Sequence, residues 1–346
     1  MNLSYWEYKT WLSNVDYTIV GSGIVGLNCA LYLNKRFPNA KVLILERGVL
    51  PQGASTKNAG FACFGSISEI LSDLENSSEE KVRQLVQKRW DGIQLLRTNL
   101  GDANIDFQNN GGNEVFLSNQ KELFNKCQEK LNSVNELLLP VFGKKAFELQ
   151  PNKFNFKNVQ DHYINNILES QIDTGKMMAA LLNKVLKGGV SILNSVSVED
   201  YIENGDEVVV KTNQFELTTK KLLFATNGFA SQLLNEEVKP ARAQVLITKP
   251  IENLHIKGTF HLDEGYYYFR NIDNRILLGG GRNLDFKGEE TTDFGKTEII
   301  QTKLQELLSD VILSNIPYEI EQRWSGIMGI GNEKLPIVKQ ISKTVV

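Results

Sequence analysis

Three short stretches carry residue types that could do chemistry. The first is Gly21-Ser22-Gly23-Ile24-Val25-Gly26, with an acid, Glu46, twenty positions after its last glycine and Arg47 beside that acid. In this pattern Gly21 allows a tight turn and Gly23 lets backbone approach a pyrophosphate. Gly26 lets a helix pack on a strand, and the free N–H groups at the helix start, where Ile24 and Val25 stand, face the anion. Glu46 is placed to accept bonds from both hydroxyls of a ribose. The chemistry is dinucleotide binding, and the motif alone leaves NAD and FAD open.

The second stretch is "GASTKNAGFACFG", Gly53 to Gly65. It is too rich in small residues for a helix or strand, and Phe61, Cys63 and Phe64 are too apolar for a surface linker. A third stretch, "EGYYYFRNIDNRILLGG", reads as a hairpin turning at Asn271–Asn274. Alternation puts Tyr266, Tyr268 and Arg270 on one face and Tyr267 and Phe269 on the other. Arg270 then either recognises a substrate or serves as a structural partner. No Ser/His/Asp or Cys/His set suited to nucleophilic catalysis is visible. The three histidines lack metal-ligand spacing, and the three cysteines lie far apart with no CxxC, so no metal and no disulfide framework are expected.

The elements that must position these residues follow from periodicity. "VDYTIV" and "KVLILE" read as buried strands around the helix "LNCALYLNKRF", which Pro38 stops: a βαβ unit with a parallel sheet. A lead-in helix is expected over 4–13, and long helices over 78–99 and 119–139 with a short strand pair between them, near Ile105–Phe107 and Glu114–Leu117. Asp173–Gly189 is a further helix, with strands after it to residue 225. Antiparallel strands are expected over 241–285, a last helix over 294–308, and strands around 317–325 and 334–338. The predicted fold class is α/β: a Rossmann-like domain interleaved with an α+β domain built on an antiparallel sheet. The dinucleotide domain is expected to take residues 14–78, 166–238 and 322–346, and the substrate domain 79–165 and 239–321.

Composition is ordinary for a globular chain: 346 residues, 41% apolar, 23% charged, net charge -3. No basic block suggests nucleic acid, no apolar run is long enough to span a membrane, and the N-terminus lacks the pattern of a secretory signal. A cytoplasmic location is the expectation.

These motifs resemble the D-amino-acid oxidase, glycine oxidase and sarcosine oxidase superfamily of FAD enzymes. The resemblance runs through nearly the whole chain, including "GASTKNAG", "GGVSILNSVSVEDYI", "LLFATNGFAS", "PARAQVLITKP" and "WSGIMGIGNEKLPIV". It implies FAD as the cofactor, with the small loop beside the flavin ring: Ser55, Lys57, Asn58, Ala59 and Gly60 would offer small side chains and backbone amides to its edge. It places Val198 against the adenine, and Thr226, Asn227 and Gly228 along the phosphate and ribitol. It matches Tyr268 to the tyrosine that meets a substrate carboxylate.

The activity implied is oxidation of a C–N bond in an amine or amino acid, by hydride transfer to flavin N5. The other readings are a 2-hydroxy-acid dehydrogenase and a flavin-binding module without turnover. The partners implied are a small amine or acid and an electron acceptor: oxygen, a quinone or a carrier.

Three positions depart from, or qualify, the resemblance. The family's carboxylate arginine, two residues after Trp-x-Gly, is here Met328. Either Arg270, Arg242 or Lys57 does that work, or the substrate has no α-carboxylate there. Cys63 is the candidate for covalent flavin attachment, set against an ordinary small core residue. The family pattern continues past "LPIV" with a strand and a glycine-rich turn that closes over the flavin; either such an element follows Val346 or this chain lacks it.

Overall fold

The computed structural model describes residues 3–234, 238–331 and 334–346. A helical turn α1 (Tyr5–Glu7), running on as a π-helical turn to Leu12, precedes β1 (Val15–Val20), α2 (Ile24–Arg36) and β2 (Val42–Glu46). Next come β3 (Phe61–Ala62), α3 (Ile67–Asn76), α4 (Glu79–Leu100), α5 (Asp102–Ile105), β4 (Gly112–Glu114) and α6 (Lys121–Phe142). β5 (Phe147–Pro151), β6 (His162–Asn166), β7 (Ser170–Gln171) and α7 (Thr174–Lys187) follow. Then come β8 (Ser191–Asn194), β9 (Val198–Asn204), β10 (Glu207–Thr212), β11 (Glu216–Phe224) and β12 (Lys239–Thr248). The chain continues with β13 (Thr259–Leu262), β14 (Tyr267–Ile272), β15 (Arg275–Gly280), α8 (Glu298–Leu307) and β16 (Ile320–Ile330).

The chain forms two units. One comprises Met1–Lys57, Gly175–Ala241 and Ile327–Val346, the other Asn58–Thr174 and Arg242–Gly326. In the first, the sheet order is β8-β2-β1-β11-β10-β9. β8, β2, β1 and β11 run parallel, and β10 and β9 complete the sheet antiparallel. β2 is buried along its whole length, as a parallel strand covered on both faces must be. The second unit is built on the sheet β16-β12-β15-β14-β13-β4-β6-β5. One face of it carries an aromatic core in which Phe260 and Phe269 stack at 4.4 Å, with Phe154, Phe156 and Tyr163 around them. A second core gathers α3, α4 and α6 through Ile67, Ile70, Val82, Val86 and Val134.

Several expectations change. Residues 58–78, 166–174 and 322–326 fall in the second unit and 239–241 in the first; β3 pairs with β7 and α3 packs on α6. The strand expected at Ile105–Phe107 is the end of α5, stopped by Asp106 in the left-handed region. The pair around Glu114 is shifted: β4 lies at Gly112–Glu114 between β13 and β6. The described residues of 334–338 form no strand. In the expected domain ranges and the "WSGIMGIGNEKLPIV" motif, positions 235–237 and 332–333 lie outside the described residues.

Candidate active site

The first unit builds the cradle that the glycine motif predicts. Gly21 sits at φ +104°, and a Cβ there would meet the Ala225 carbonyl at 2.7 Å. A Cβ on Gly26 would stand 2.0 Å from the Gly21 oxygen and 3.3 Å from Ile19, so glycine is what lets α2 close onto β1. The first intrahelical bond of α2 runs from Leu27 N to Gly23 O. The N–H groups ahead of it have no helical partner. Ile24 N donates to Ser55 Oγ at 2.9 Å, which ties the small loop to the helix start, and a Cβ on Gly23 would meet that hydroxyl at 3.1 Å. Val25 is exposed.

Glu46 ends β2 buried. Its Oε2 accepts from Ser22 N (3.0 Å) and Ser22 Oγ (2.7 Å), and its Oε1 from Gly48 N (2.9 Å). A carboxylate oxygen accepts about two bonds, so Oε1 keeps an acceptor site open for a ribose hydroxyl. Arg47 turns away, its guanidinium 3.7 Å from the centre of the Phe229 ring. Thr226 precedes the 3₁₀ turn Asn227–Gln232, and its Oγ1 is a buried polar atom without a partner among the described residues. Gly228 allows the Met328 backbone to approach, since a Cβ there would meet Met328 O at 2.5 Å. Asn227 takes a left-handed conformation, and Val198, half-buried, opens β9. A glycine cradle, one open carboxylate site and an orphaned hydroxyl fit a dinucleotide.

In the second unit, Arg270 fastens the other half of the loop. It is buried on β14, and its Nη1 donates to the carbonyls of Ala59 (3.1 Å), Gly60 (3.0 Å) and Ile172 (2.5 Å). Its Nε donates to Asn271 O at 3.1 Å. Burial pulls the guanidinium down to about 10, with Asp173, Asp106 and Asp273 acting the other way, and it stays charged at neutral pH. Gly60, at φ +75°, is glycine because a Cβ would run into Ile172 O and Arg270 Nη1. Gly60 N donates to Asn58 Oδ1, which also accepts from Thr174 Oγ1. Of the two roles expected for Arg270, substrate recognition and a structural partner, the bonds of Nε and Nη1 to main-chain carbonyls supply the structural one.

Tyr268 and Arg270 share one face of β14 while Tyr267 and Phe269 enter the core on the other. Tyr266 lies outside the strand and is exposed. A row of side chains crosses the sheet through register: Val245, Gly279, Tyr268, His261, Glu114 and Ile164. The Tyr268 ring lies over Gly279, where a Cβ would come within 2.7 Å of it. Around it Ala59, Phe61, Val245, Ile247, Leu277 and Trp324 form an apolar wall. Burial pushes the Tyr268 phenol up to about 12, so it stays a hydroxyl.

Sequence reading missed what stands next to it. Glu169 and His261 form a buried ion pair at 2.8 Å, and Glu114 accepts from both Ser68 N (3.0 Å) and Ser68 Oγ at the start of α3. Only Gly112, which makes room for Glu169, left a trace in the sequence, and one glycine cannot name its partner. Burial drives the Cys63 thiol well above its ordinary pKa, with Glu169 and Glu69 adding to the shift, which suits a core thiol rather than a flavin nucleophile. Arg242 forks onto Glu289 with two bonds of 2.8 Å. Among the described residues no cluster of His, Cys, Asp or Glu could hold a metal, and no helix is long and apolar enough to cross a membrane.

Gamma-glutamylputrescine oxidoreductase of Escherichia coli (strain K12) is 26% identical over 288 residues, 77% of this chain and 64% of that protein, so the match spans less than two thirds of the relative. Iminodiacetate oxidase from Chelativorans sp. BNC1 shares the fold at a TM-score of 0.75 and 16% identity, over 95% of this chain and 88% of that one. Glycine oxidase from Geobacillus kaustophilus does so at 0.73 and 17%, over 95% and 86%. The family model described as FAD dependent oxidoreductase matches residues 16–346, covering the glycine cradle, the small loop and the Tyr268 strand alike, and the chain belongs to that family.

Proposed function

We propose that the protein oxidises a C–N bond of an amine that carries no α-carboxylate at the reacting carbon. The observation that carries this is the fate of two of the three candidate cations. Met328 replaces the arginine that the resemblance calls for, Arg270 gives Nε and Nη1 to backbone carbonyls, and Arg242 is forked onto Glu289. An apolar wall with one phenol hydroxyl suits an uncharged amine better than an anion. The relative named for gamma-glutamylputrescine is consistent with an amine substrate.

FAD would be held by the Gly21–Gly26 turn and the start of α2, by the open site on Glu46 and by the Thr226 hydroxyl. When bound, FAD supplies the acceptor for a hydride from the carbon bearing nitrogen. The chain supplies placement. Phe61, Ile247 and Trp324 exclude water, and the Tyr268 hydroxyl offers a hydrogen bond to orient the amine. An ammonium has no lone pair to release, so activity rises with pH as the amine loses its proton.

The test is anaerobic mixing of the FAD-loaded enzyme with benzylamine, putrescine, glycine, D-alanine and lactate, following flavin absorbance. An amine without a carboxylate should bleach the flavin. Glycine and D-alanine should do so with at least roughly 10-fold lower efficiency, the worth of one charge-assisted contact. Efficient bleaching by glycine or D-alanine overturns the substrate class, and bleaching by lactate alone overturns C–N oxidation.

A further inference from the structure

The Glu169–His261 pair takes no part in the cradle or in the fastening of the loop, yet it stands one strand from Tyr268. His261 faces Tyr268 across β13–β14 and Glu114 across β13–β4, so the three side chains share a face of the sheet. Glu169 reaches this row at His261. Its Oε1 is 2.8 Å from His261 Nε2 and accepts from Thr259 Oγ1 at 2.6 Å. Gly112, opposite Thr259, needs no special backbone angle. A Cβ there would come 2.2 Å from the Glu169 carboxyl carbon, so glycine serves to let the carboxylate down onto the sheet. Tyr268 leans the other way, over Gly279. Phe61 packs edge-on against both neighbours, with ring centroids 5.3 Å from His261 and 5.7 Å from Tyr268.

We propose that His261, clamped by Glu169, is a positioning residue for the amine pocket: it sets the tilt of Phe61, and through Phe61 the place of the Tyr268 hydroxyl. What the pocket binds rests on the amine reading; the clamp and the ring contacts do not. The clamp also holds the imidazole charged. Burial opposes a charge on His261, but the charge and hydrogen bond of Glu169, with Glu69 and Glu114 behind them, outweigh it and raise the ring to about 9. The titratable groups around it are Glu169 from the turn before β7, Glu114 from β4, Glu69 from α3, Cys63 from the loop and Tyr268 from β14. The wall stays set up to about pH 9 and loosens as His261 goes neutral, while an alkyl amine, near 10.4 in lysine, is still losing its proton. Activity should therefore climb with the first part of amine deprotonation and descend as His261 loses its remaining proton.

The experiment uses FAD-loaded wild type, His261→Gln, Glu169→Gln, Phe61→Leu and Tyr268→Phe. Nitrogen-15 histidine spectra are tractable because the chain has three histidines, and His261 is assigned by its loss in His261→Gln. At pH 8 its ring should be an imidazolium in wild type, neutral in Glu169→Gln, and shifted in Phe61→Leu. The carbon-13 Cζ signal of Tyr268, assigned by its loss in Tyr268→Phe, should move in His261→Gln. With benzylamine as the reductant, His261→Gln should lose roughly 10- to 100-fold in reduction efficiency at unchanged FAD content, the scale expected from misplacement of about an ångström. It should also lose the descending alkaline limb.

A neutral His261 at pH 8 in wild type, or a Tyr268 signal unmoved in His261→Gln, overturns the proposal. Should His261→Gln fail to fold, Glu169→Gln and Phe61→Leu carry the same readings, with the Tyr268 signal expected to move in both. A wild type that benzylamine leaves oxidised counts against the amine reading alone, and the spectra still decide the pair.

Discussion

A guanidinium surrounded by four carbonyls, as Arg270 is, acts on the main chain rather than on a ligand. Arg270→Lys keeps the charge but loses the Nε bond to Asn271 O, and its one nitrogen must reach the point where Nη1 meets the carbonyls of Ala59, Gly60 and Ile172. It should lower stability by about 1–3 kcal/mol, read as a lower urea midpoint. A midpoint equal to wild type would show that the bonds to the loop are dispensable. At Glu46 the prediction is about the cofactor. Glu46→Gln should weaken FAD binding by roughly 10- to 150-fold in a fluorescence titration, through the lost charge-assisted bond. His261 makes a pH prediction with a definite sign. Its ring is raised from the ordinary 6.5 to about 9, so the native state binds the extra proton. That stabilisation is complete below about pH 6.5 and fades as pH rises through 9, on the order of 3 kcal/mol in all. Urea unfolding at pH 6 and pH 10 should show this loss in wild type and not in His261→Gln.

Among the elements, β4 carries the most exposed prediction. Gly112→Ala should cost about 1–3 kcal/mol by pressing on the Glu169 carboxylate, and much less in a Glu169→Ala background. Equal costs in both backgrounds would separate Gly112 from Glu169. The same strand shows where sequence reading stops. The βαβ unit and the β14–β15 hairpin were legible because their signals are local: a period of two, a period of 3.6, and Asp273-Asn274, both in the left-handed region of a tight turn. Helix α3 was missed although Ser66 and Glu69 form a full capping box at its start, because the glycine-rich loop beside it drew the reading. The limits of β4, β6 and β7 are set by partners distant in sequence, which no local pattern carries. Glu169 and His261 meet only through that register, so the pair was invisible before the sheet was known. Tyr268 and Arg270 were found by alternation, but alternation gives a face and not a partner.

At the scale of the molecule, the chain passes between its units after Lys57, Thr174, Ala241 and Gly326. FAD held by the first unit should raise the unfolding temperature with the logarithm of its concentration, through a stabilisation of about 2.7 kcal/mol at a hundred times its dissociation constant. Absence of any shift on adding FAD to stripped protein would argue against the cradle. The pairing of Val15 with Thr219 has a further consequence, one of time. β1 lies between β2 and β11, and β2 is ready almost at once, while β11 leaves the ribosome only after most of the chain has been made. At about 5–20 residues per second, the open edge of β1 waits roughly 10–40 s for its neighbour. Throughout that interval a nascent chain carries an unpaired strand of buried-type residues, so its yield in a cell should fall as translation slows and rise with chaperones that shield that edge until residue 219 emerges.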